Sequence, residues 1–473
     1  MKKFDVLIIG SGPGGQRAAF QASKLKKKVA VIERQPYIGG AGLQTGTLPS
    51  KTLREAALFL AGFKQRAIFG FQFALGREVT LQELMHRKMD VIKKQMEVII
   101  DQFSRNNIEI IYGEASFIDE HRLAVNPHTK DFDVEIKGGA AAPEELYGEV
   151  IIITTGTRPL RPKDVPFDEA HIYDTDTILK IDNIPSTLTI IGGGVIGCEY
   201  ACVFASLGVK VTLIEKKTRL LPFADEEIVN NLIYWMRHSG ITLRLSEEVV
   251  KITVETKDRV VTTLKSSKQA VSEKLLYTMG RVGNTDMLNL NAVGIKSNER
   301  GGLNVNENFQ TALPHIYAIG DVIGFPALAS TSMDQGRRAV CNAFHTEGVT
   351  CEVVSHLPFG IYTIPEISMV GETEEGLTKK GVPYEIGCAL FQEVAKGQII
   401  GDTHGMLKLL FHRETRQLLG VHIIGERATE LIHIGQAVMS FGGTIDYFKD
   451  TVFNYPTLSD AYKVAALNGL NRL

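Results

Sequence analysis

Cysteine is scarce in this chain. Five occur in 473 residues, at 198, 202, 341, 351 and 388, and no two form a C-x-x-C pair. An odd, sparse set provides no framework of structural disulfides and points to a reducing, cytoplasmic setting. Net charge is nearly absent as well. Fifty-two basic residues face 54 acidic ones, a formal charge of -2, which leaves no electrostatic footprint for nucleic acid or a membrane surface. Long apolar runs are missing, because Gly or a charge breaks each one, so no membrane span is expected. The run Phe4–Ile9 stops at Gly10-Ser11-Gly12, too soon for a secretory h-region, and reads as a strand. What the chain does have is glycine, 45 residues, with a 44% hydrophobic and 22% charged content typical of globular proteins. Its length calls for two to four domains.

One pattern occurs twice. A strand over Phe4–Ile9 leads into Gly10-x-Gly12-x-x-Gly15, a helix to about Leu25, and a strand Lys28–Ile32 ending in Glu33. A strand over Leu188–Ile191 leads into Gly192-x-Gly194-x-x-Gly197, a helix to about Leu207, and a strand Val209–Ile214 ending in Glu215. In each copy the acid follows the first glycine by 23 residues, from 10 to 33 and from 192 to 215. A lone G-x-G-x-x-G is weak evidence, but the flanking strand, helix and acid, recurring in register, specify a dinucleotide-binding unit. The first glycine permits the turn, the second lets the backbone approach a pyrophosphate, and the third lets helix pack on strand. The helix N-terminus then presents free N–H donors and a positive dipole end. Glu33 and Glu215 would each accept hydrogen bonds from an adenosine ribose. Cys198 and Cys202 stand one helical turn apart; a metal or redox pair is weighed against small apolar fillers on a buried helix face, and the fillers are expected.

Between the copies, apolar spacing predicts helix over about 50–105, then strands near 108–112, 122–126 and 132–136, a Gly-rich loop at 138–143, and a buried strand over 149–154. The stretch Thr311–Asp321 ends in Gly320-Asp321. Ala329-Ser330-Thr331-Ser332 opens a helix to about Ala343, with Ser330 or Thr331 a candidate N-cap. From about Val349 the pattern is α+β, with strands at 406–411 and 418–424 and helices at 428–440 and 459–468.

Together these markers resemble the flavoprotein family of glutathione reductase and dihydrolipoamide dehydrogenase, which has two dinucleotide-binding domains. Gly360–Ile367, Phe453–Asp460 and Ala465–Arg472 are most similar to its transhydrogenase branch. The resemblance implies an α/β fold of two Rossmann-like domains plus a C-terminal α+β dimerisation domain. FAD is expected in a discontinuous domain of residues 1–155 and 283–348, NAD(P) in 156–282, and dimerisation in 349–473. It assigns to cofactor binding Gly10, Gly12, Gly14, Gly15, Glu33, Arg34, Gly39, Gly40, Gly42, Thr155, Gly156, Gly320 and Asp321 on the FAD side. On the NAD(P) side it assigns Gly192, Gly194, Gly197, Glu215, Gly280 and Arg281. Lys51 and Glu199 occupy the family positions of an ion pair at the flavin edge and are the expected catalytic residues.

The departures from the family carry as much weight. Members that reduce disulfides have cysteines where this chain has Gly42 and Thr47, and a His–Glu pair where it has Tyr455 and Asp460. A phenol with a pKa near 10 is a poor proton shuttle for a thiol at neutral pH. Thiols and base are lost together, so a disulfide reductase using the remote cysteines is a poor reading. The expected activity is ping-pong hydride transfer between NADPH and NAD through FAD, that of an NAD(P)+ transhydrogenase. The same cleft must then accept ribose with and without a 2′-phosphate. Glu215 would repel the phosphate; Lys216, Lys217 and Arg219 are set evenly between neutralising it and lying on a solvated loop. Two alternatives stay open: an NAD(P)H diaphorase passing electrons to a quinone, and a non-catalytic nucleotide-binding scaffold. The expected partners are small nucleotides and further copies of the chain, as a homodimer or larger homo-oligomer, with neither nucleic acid nor membrane.

Overall fold

The computed structural model describes residues 1–65, 81–127, 130–131, 134–135, 143–181, 183–256, 258–345 and 356–473. Cys351, most of the loop at 138–143, the predicted boundary at 348–349 and part of the strand at 132–136 lie outside them. The chain divides into two compact units. The first comprises Met1–Leu53, Gln82–Pro162 and Gly280–Glu352; the second comprises Arg54–Leu81, Lys163–Met279 and Val353–Leu473.

The first unit is built on a parallel sheet ordered Glu109–Phe117, Val29–Glu33, Lys2–Ile9, Glu144–Ile153, Ile316–Ala318. Arg122–Pro127 pairs antiparallel with both Glu109–Phe117 and Glu144–Ile153. Phe4, Leu7 and Ile9 bury one face of the first strand, and Val6 and Ile8 the other. Burial on both faces explains why these strands read as unbroken apolar runs rather than alternating ones. The helix Pro13–Lys24 crosses the helix Ala329–Ala343 where both are bare: a Cβ on Gly336 would lie 2.3 Å from the Gly14 carbonyl oxygen.

In the second unit a parallel sheet runs Thr242–Leu245, Lys210–Glu215, Thr187–Ile191, Lys274–Tyr277, Ile172–Tyr173. An antiparallel meander follows, Val249–Thr256, Arg259–Leu264 and Gln269–Ser272. The C-terminal part is an antiparallel sheet ordered Phe359–Ile361, Ile367–Gly371, Leu418–Ile424, Met406–His412, Tyr384–Leu390. The helices Ala428–Ser440 and Asp460–Leu470 supply much of its apolar core, with Tyr462 buried and donating to the Leu431 carbonyl at 2.8 Å. Among the described residues no helix is long and apolar enough to cross a membrane.

Several predicted elements shift at their ends. The helix expected over 50–105 is two, Thr47–Gln65 and Leu81–Arg105, with 66–80 outside the described residues. The strand expected near 108–112 extends to Phe117, because its second half takes up the antiparallel partner Arg122–Pro127. Within 311–321, for which the sequence predicts no element, Ile316–Ala318 is strand, after which Gly320, at φ +75°, turns the chain into a 3-10 helix.

One polar cluster is buried in the second unit. Lys408, fully buried on Met406–His412, reaches Asp225 at 3.1 Å, Glu227 at 2.9 Å, and Glu374. Asp225 is itself buried and caps the helix Glu226–His238 by accepting from the Glu227 and Ile228 N–H groups at 3.1 and 3.4 Å. The lysine therefore bolts the start of the helix Glu226–His238 to the C-terminal sheet. Lys408→Met strands the Asp225 carboxylate without its cation and should destabilise the fold by about 3–5 kcal/mol. Urea unfolding followed by the fluorescence of Trp235, the chain's single tryptophan and a member of that helix, checks this; a loss below about 1 kcal/mol would mean that the cluster behaves as an exposed pair.

Candidate nucleotide-binding sites

The two glycine motifs fold into the same local structure, atom for atom in several places. Gly10 and Gly192 follow their strands at φ +111° and +110°, a conformation that a side chain strains. Each donates its N–H to the end of the neighbouring strand, Gly10 to the Ile32 carbonyl and Gly192 to the Ile214 carbonyl, both at 2.8 Å. The third glycines permit the closest approach. A Cβ on Gly15 would lie 2.1 Å from the Gly10 oxygen, and one on Gly197 would lie 1.9 Å from the Gly192 oxygen. The middle glycines differ in kind: a Cβ on Gly12 or Gly194 meets no atom within 4 Å. These two positions are bare because the space beside them is left open, as a phosphate-binding turn requires. Gly12 and Gly194 are also the N-caps of the helices Pro13–Lys24 and Val195–Ser206, and no side chain caps either helix. The first-turn N–H groups therefore have no side-chain acceptor, the arrangement that suits an anion.

The acids are positioned by equivalent bonds. Glu33 accepts from Ser11 N–H at 3.0 Å and Gln35 N–H at 2.8 Å; Glu215 accepts from Gly193 N–H at 2.6 Å and Lys217 N–H at 2.8 Å. The bonding of the two acids differs at Ser11 against Gly193. Ser11 adds a hydroxyl bond to Glu33 at 2.6 Å, and the same Oγ accepts from Gly39 N–H at 2.8 Å. Gly193, in the equivalent place, has no side chain to offer. Glu33 is buried, whereas Glu215 is half-buried. Ser11 and Gln35 were not singled out in the sequence, since the motif fixes only its glycines and acid.

Around the first cradle, Arg34 follows Glu33 half-buried, and Gly39 and Gly40, at φ +106° and +60°, lead into the short helix Gly40–Gln44 that contains Gly42. Gly40 lies close over the loop, a Cβ there falling 2.8 Å from the Gly12 Cα. Thr155 and Gly156 follow the strand Glu144–Ile153; the Thr155 Oγ1 is buried with no hydrogen-bond partner. Asn284 donates to the Thr155 carbonyl at 2.9 Å. After Gly280, Arg281 opens the strand Arg281–Gly283, paired with Thr157–Pro159, and its guanidinium donates to the Thr157 Oγ1 at 2.7 Å and carbonyl at 2.8 Å. Thr157 in turn reaches the Asp321 carboxylate at 3.4 Å. Burial pushes the Asp321 carboxyl above the usual carboxylate range, while Arg281 and Thr157 pull it back. Gly320 N–H is held by the Gln335 side chain at 2.8 Å.

Neither candidate, Ser330 or Thr331, caps the helix Ala329–Ala343. Its N-cap is Leu328, with no side-chain cap. Thr331 Oγ1 donates to the Pro326 and Leu328 carbonyls, and Ser332 Oγ to the Leu328 carbonyl. The hydroxyls turn toward acceptors in the preceding loop, so the helix N–H groups stay open. The cysteine expectation stands: Cys198 and Cys202 are buried on the helix Val195–Ser206, the Cys198 thiol 3.5 Å from the Gly193 carbonyl. Burial raises the Cys198 pKa and pushes that of Cys202 up to about 12, which makes both inert. Lys51, in the first unit, is on the helix Thr47–Gln65, 3.4 Å from Ser50 Oγ. Glu199 is buried on the helix Val195–Ser206 of the second, and accepts from Tyr362 N–H at 2.8 Å.

Residues 4–336 match the family model described as pyridine nucleotide-disulphide oxidoreductase, and residues 357–466 match the model of that family's dimerisation domain. A protein of Mycobacterium bovis named soluble pyridine nucleotide transhydrogenase is 47% identical over 100% of this chain and 98% of its own. One of the same name from Hahella chejuensis is 46% identical over 100% and 99%. Among solved structures, the HOCl-induced flavoprotein disulfide reductase RclA of Escherichia coli superposes with a TM-score of 0.85 at 27% identity, covering 98% of this chain and 99% of that one. LpdA of Mycobacterium tuberculosis superposes with a TM-score of 0.89 at 25% identity, covering 99% of each.

The glycines of the first cradle have separable tasks, and FAD retention distinguishes them. Gly12→Ala adds a methyl only to open space, so the protein should keep its melting temperature and lose most of its flavin absorbance at purification. Gly15→Ala drives a methyl against the Gly10 carbonyl and should cost roughly 1–3 kcal/mol of stability. Equal melting temperatures with equal flavin content in the two variants would contradict this division.

Proposed function

The chain belongs to the pyridine nucleotide-disulphide oxidoreductase family, and from that premise we propose that it transfers hydride between NADPH and NAD by way of FAD, in the cytoplasm, as a homodimer or larger homo-oligomer. The observation that carries this reading is the combination of two complete dinucleotide cradles with Gly42 and Thr47 at the positions where disulfide-reducing relatives have thiols. Full-length relatives named as transhydrogenases support it. The match to a dimerisation domain supports the assembly.

FAD, when bound, takes up a hydride from one nicotinamide and yields it to another. The chain's contribution is to bind, orient and exclude water. The uncapped Pro13–Lys24 helix and the open face at Gly12 fit the pyrophosphate. Glu33, held by Ser11 and Gln35, fits the adenosine ribose, with one lone pair of its Oε1 still to give. The orphaned Thr155 hydroxyl, and the buried Asp321 carboxylate with acceptor capacity beyond its Thr157 bond, suit the hydroxyl-rich ribityl chain. The uncapped N-terminus of Ala329–Ala343 offers a positive dipole end that would stabilise the negative charge of a reduced flavin ring beside it. Lys51 and Glu199 are the charged residues we assign to hydride transfer. Tyr362 fixes one Glu199 oxygen, which would hold that carboxylate still.

The substitution of sulfur chemistry by direct exchange dictates the experiment. Anaerobic NADPH should bleach the yellow protein, and NAD added afterwards should restore the colour. Thio-NAD should then outpace a quinone as steady-state acceptor. Bleaching without recovery, or a quinone rate hundreds of times faster, would favour a diaphorase; no bleaching at all would favour a scaffold.

A further inference from the structure

Glu215 poses a difficulty for any site that must also accept NADP. Its carboxylate is fixed by two backbone N–H groups, Gly193 at 2.6 Å and Lys217 at 2.8 Å. That arrangement presents a good acceptor to ribose hydroxyls and a repulsive charge to a 2′-phosphate. Cations next to Glu215 must offset the repulsion, and the chain offers Lys216, Lys217 and Arg219.

These three are not equivalent. Arg219 is committed elsewhere: its guanidinium meets Glu375 at 2.7 Å, the Ala224 carbonyl at 2.7 Å and Glu226 at 3.8 Å, with its side chain 28% exposed. Its work is to tie the loop after Glu215 to the helix Glu374–Lys380. Lys216 is different. It is 60% exposed and has one carboxylate, Glu248, at 2.5 Å. Glu248 comes beside it because the chain after Thr242–Leu245 runs along the loop: Glu247 N–H donates to the Glu215 carbonyl at 3.1 Å, and Ser246 N–H to the Lys217 carbonyl at 3.0 Å. The other Glu248 oxygen lies 3.4 Å from Lys265 Nζ, and Lys265 N–H donates to the Glu248 carbonyl at 2.8 Å.

We propose that Glu248 is an exchangeable counter-ion that sets the balance between NAD and NADP: it neutralises Lys216 when the ribose carries a hydroxyl and gives Lys216 up when the ribose carries a 2′-phosphate. This rests on the reading that the second unit binds both nucleotides. Three features fit an exchange rather than a fixed bridge. The pair is solvent-exposed, so breaking it forfeits little. A phosphate makes stronger charge-assisted bonds than the carboxylate it displaces. Lys265 keeps Glu248 satisfied after Lys216 has left, so no carboxylate is stranded. With NAD bound, the Lys216–Glu248 pair is neutral and adds nothing that would disfavour the unphosphorylated ribose. Lys217, exposed beside them, adds positive charge in either state.

The test measures binding on the oxidised, FAD-loaded protein. Dissociation constants of NADP+ and NAD+ are taken by titration calorimetry for the wild type, Glu248→Gln and Lys216→Gln. Glu248→Gln should tighten NADP+ by about fivefold to tenfold and leave NAD+ within about twofold; Lys216→Gln should weaken NADP+ by about tenfold or more and spare NAD+. A surface ion pair without this role would leave the ratio of the two constants unmoved in both variants, and that result overturns the proposal. So does a Glu248→Gln variant that tightens both nucleotides alike. The outcome is independent of the transhydrogenase reading, which fails if NADPH does not bleach the wild type. Even then, Glu248→Gln gaining NADP+ affinity supports the counter-ion, and gaining none refutes it.

Discussion

Everything functional in this chain depends on backbone left bare at two corresponding turns. Gly15 and Gly197 must lack a Cβ because the next atom in line is the carbonyl oxygen of their own motif's first glycine, 2.1 and 1.9 Å from where that carbon would sit. That approach brings each helix N-terminus down to the end of its strand, and it leaves open space at Gly12 and Gly194. The dipole, the uncapped N–H groups and the clear path for a pyrophosphate follow from one steric condition. The acids then fall into place through the Gly10 and Gly192 bonds to the strand ends at Ile32 and Ile214.

The difference between the cradles is as informative as the likeness. Ser11 locks Glu33 with a hydroxyl and binds the Gly39 segment at the same time, so the first acid is buried and cross-braced. Gly193 gives Glu215 only a backbone bond, and the second acid is half-buried. A resident cofactor and an exchanging substrate call for this asymmetry. The first site should hold its nucleotide through many turnovers, while the second must release one and admit another.

The cradles were legible in the sequence because their physics is local. A turn at positive φ, a helix start and an acid at fixed spacing lie within one contiguous stretch, so Gly10 to Glu33 and Gly192 to Glu215 could be read directly. Short runs governed by distant partners could not. The strand from Glu109 lengthens because Arg122–Pro127 folds back on it. Ser330 or Thr331 was a candidate N-cap, but carbonyls at Pro326 and Leu328 take the hydroxyl protons of Thr331 and Ser332, and the N-cap is Leu328. The Lys408 cluster was unreadable for the same reason: its carboxylates come from residues 225, 227 and 374, which only the fold assembles. The roles of Gly42 and Thr47 came from family likeness rather than from spacing, since nothing in a glycine and a threonine announces a missing thiol.

The central claim is that electrons enter and leave through the flavin alone. Anaerobic dithionite titration measures this most directly, because a flavin accepts one electron pair and a neighbouring redox disulfide would accept a second. Full reduction at about two electrons per bound FAD, with no long-wavelength thiolate-to-flavin band along the way, is the result predicted here. Uptake of about four electrons per FAD would place sulfur back in the circuit and contradict the account.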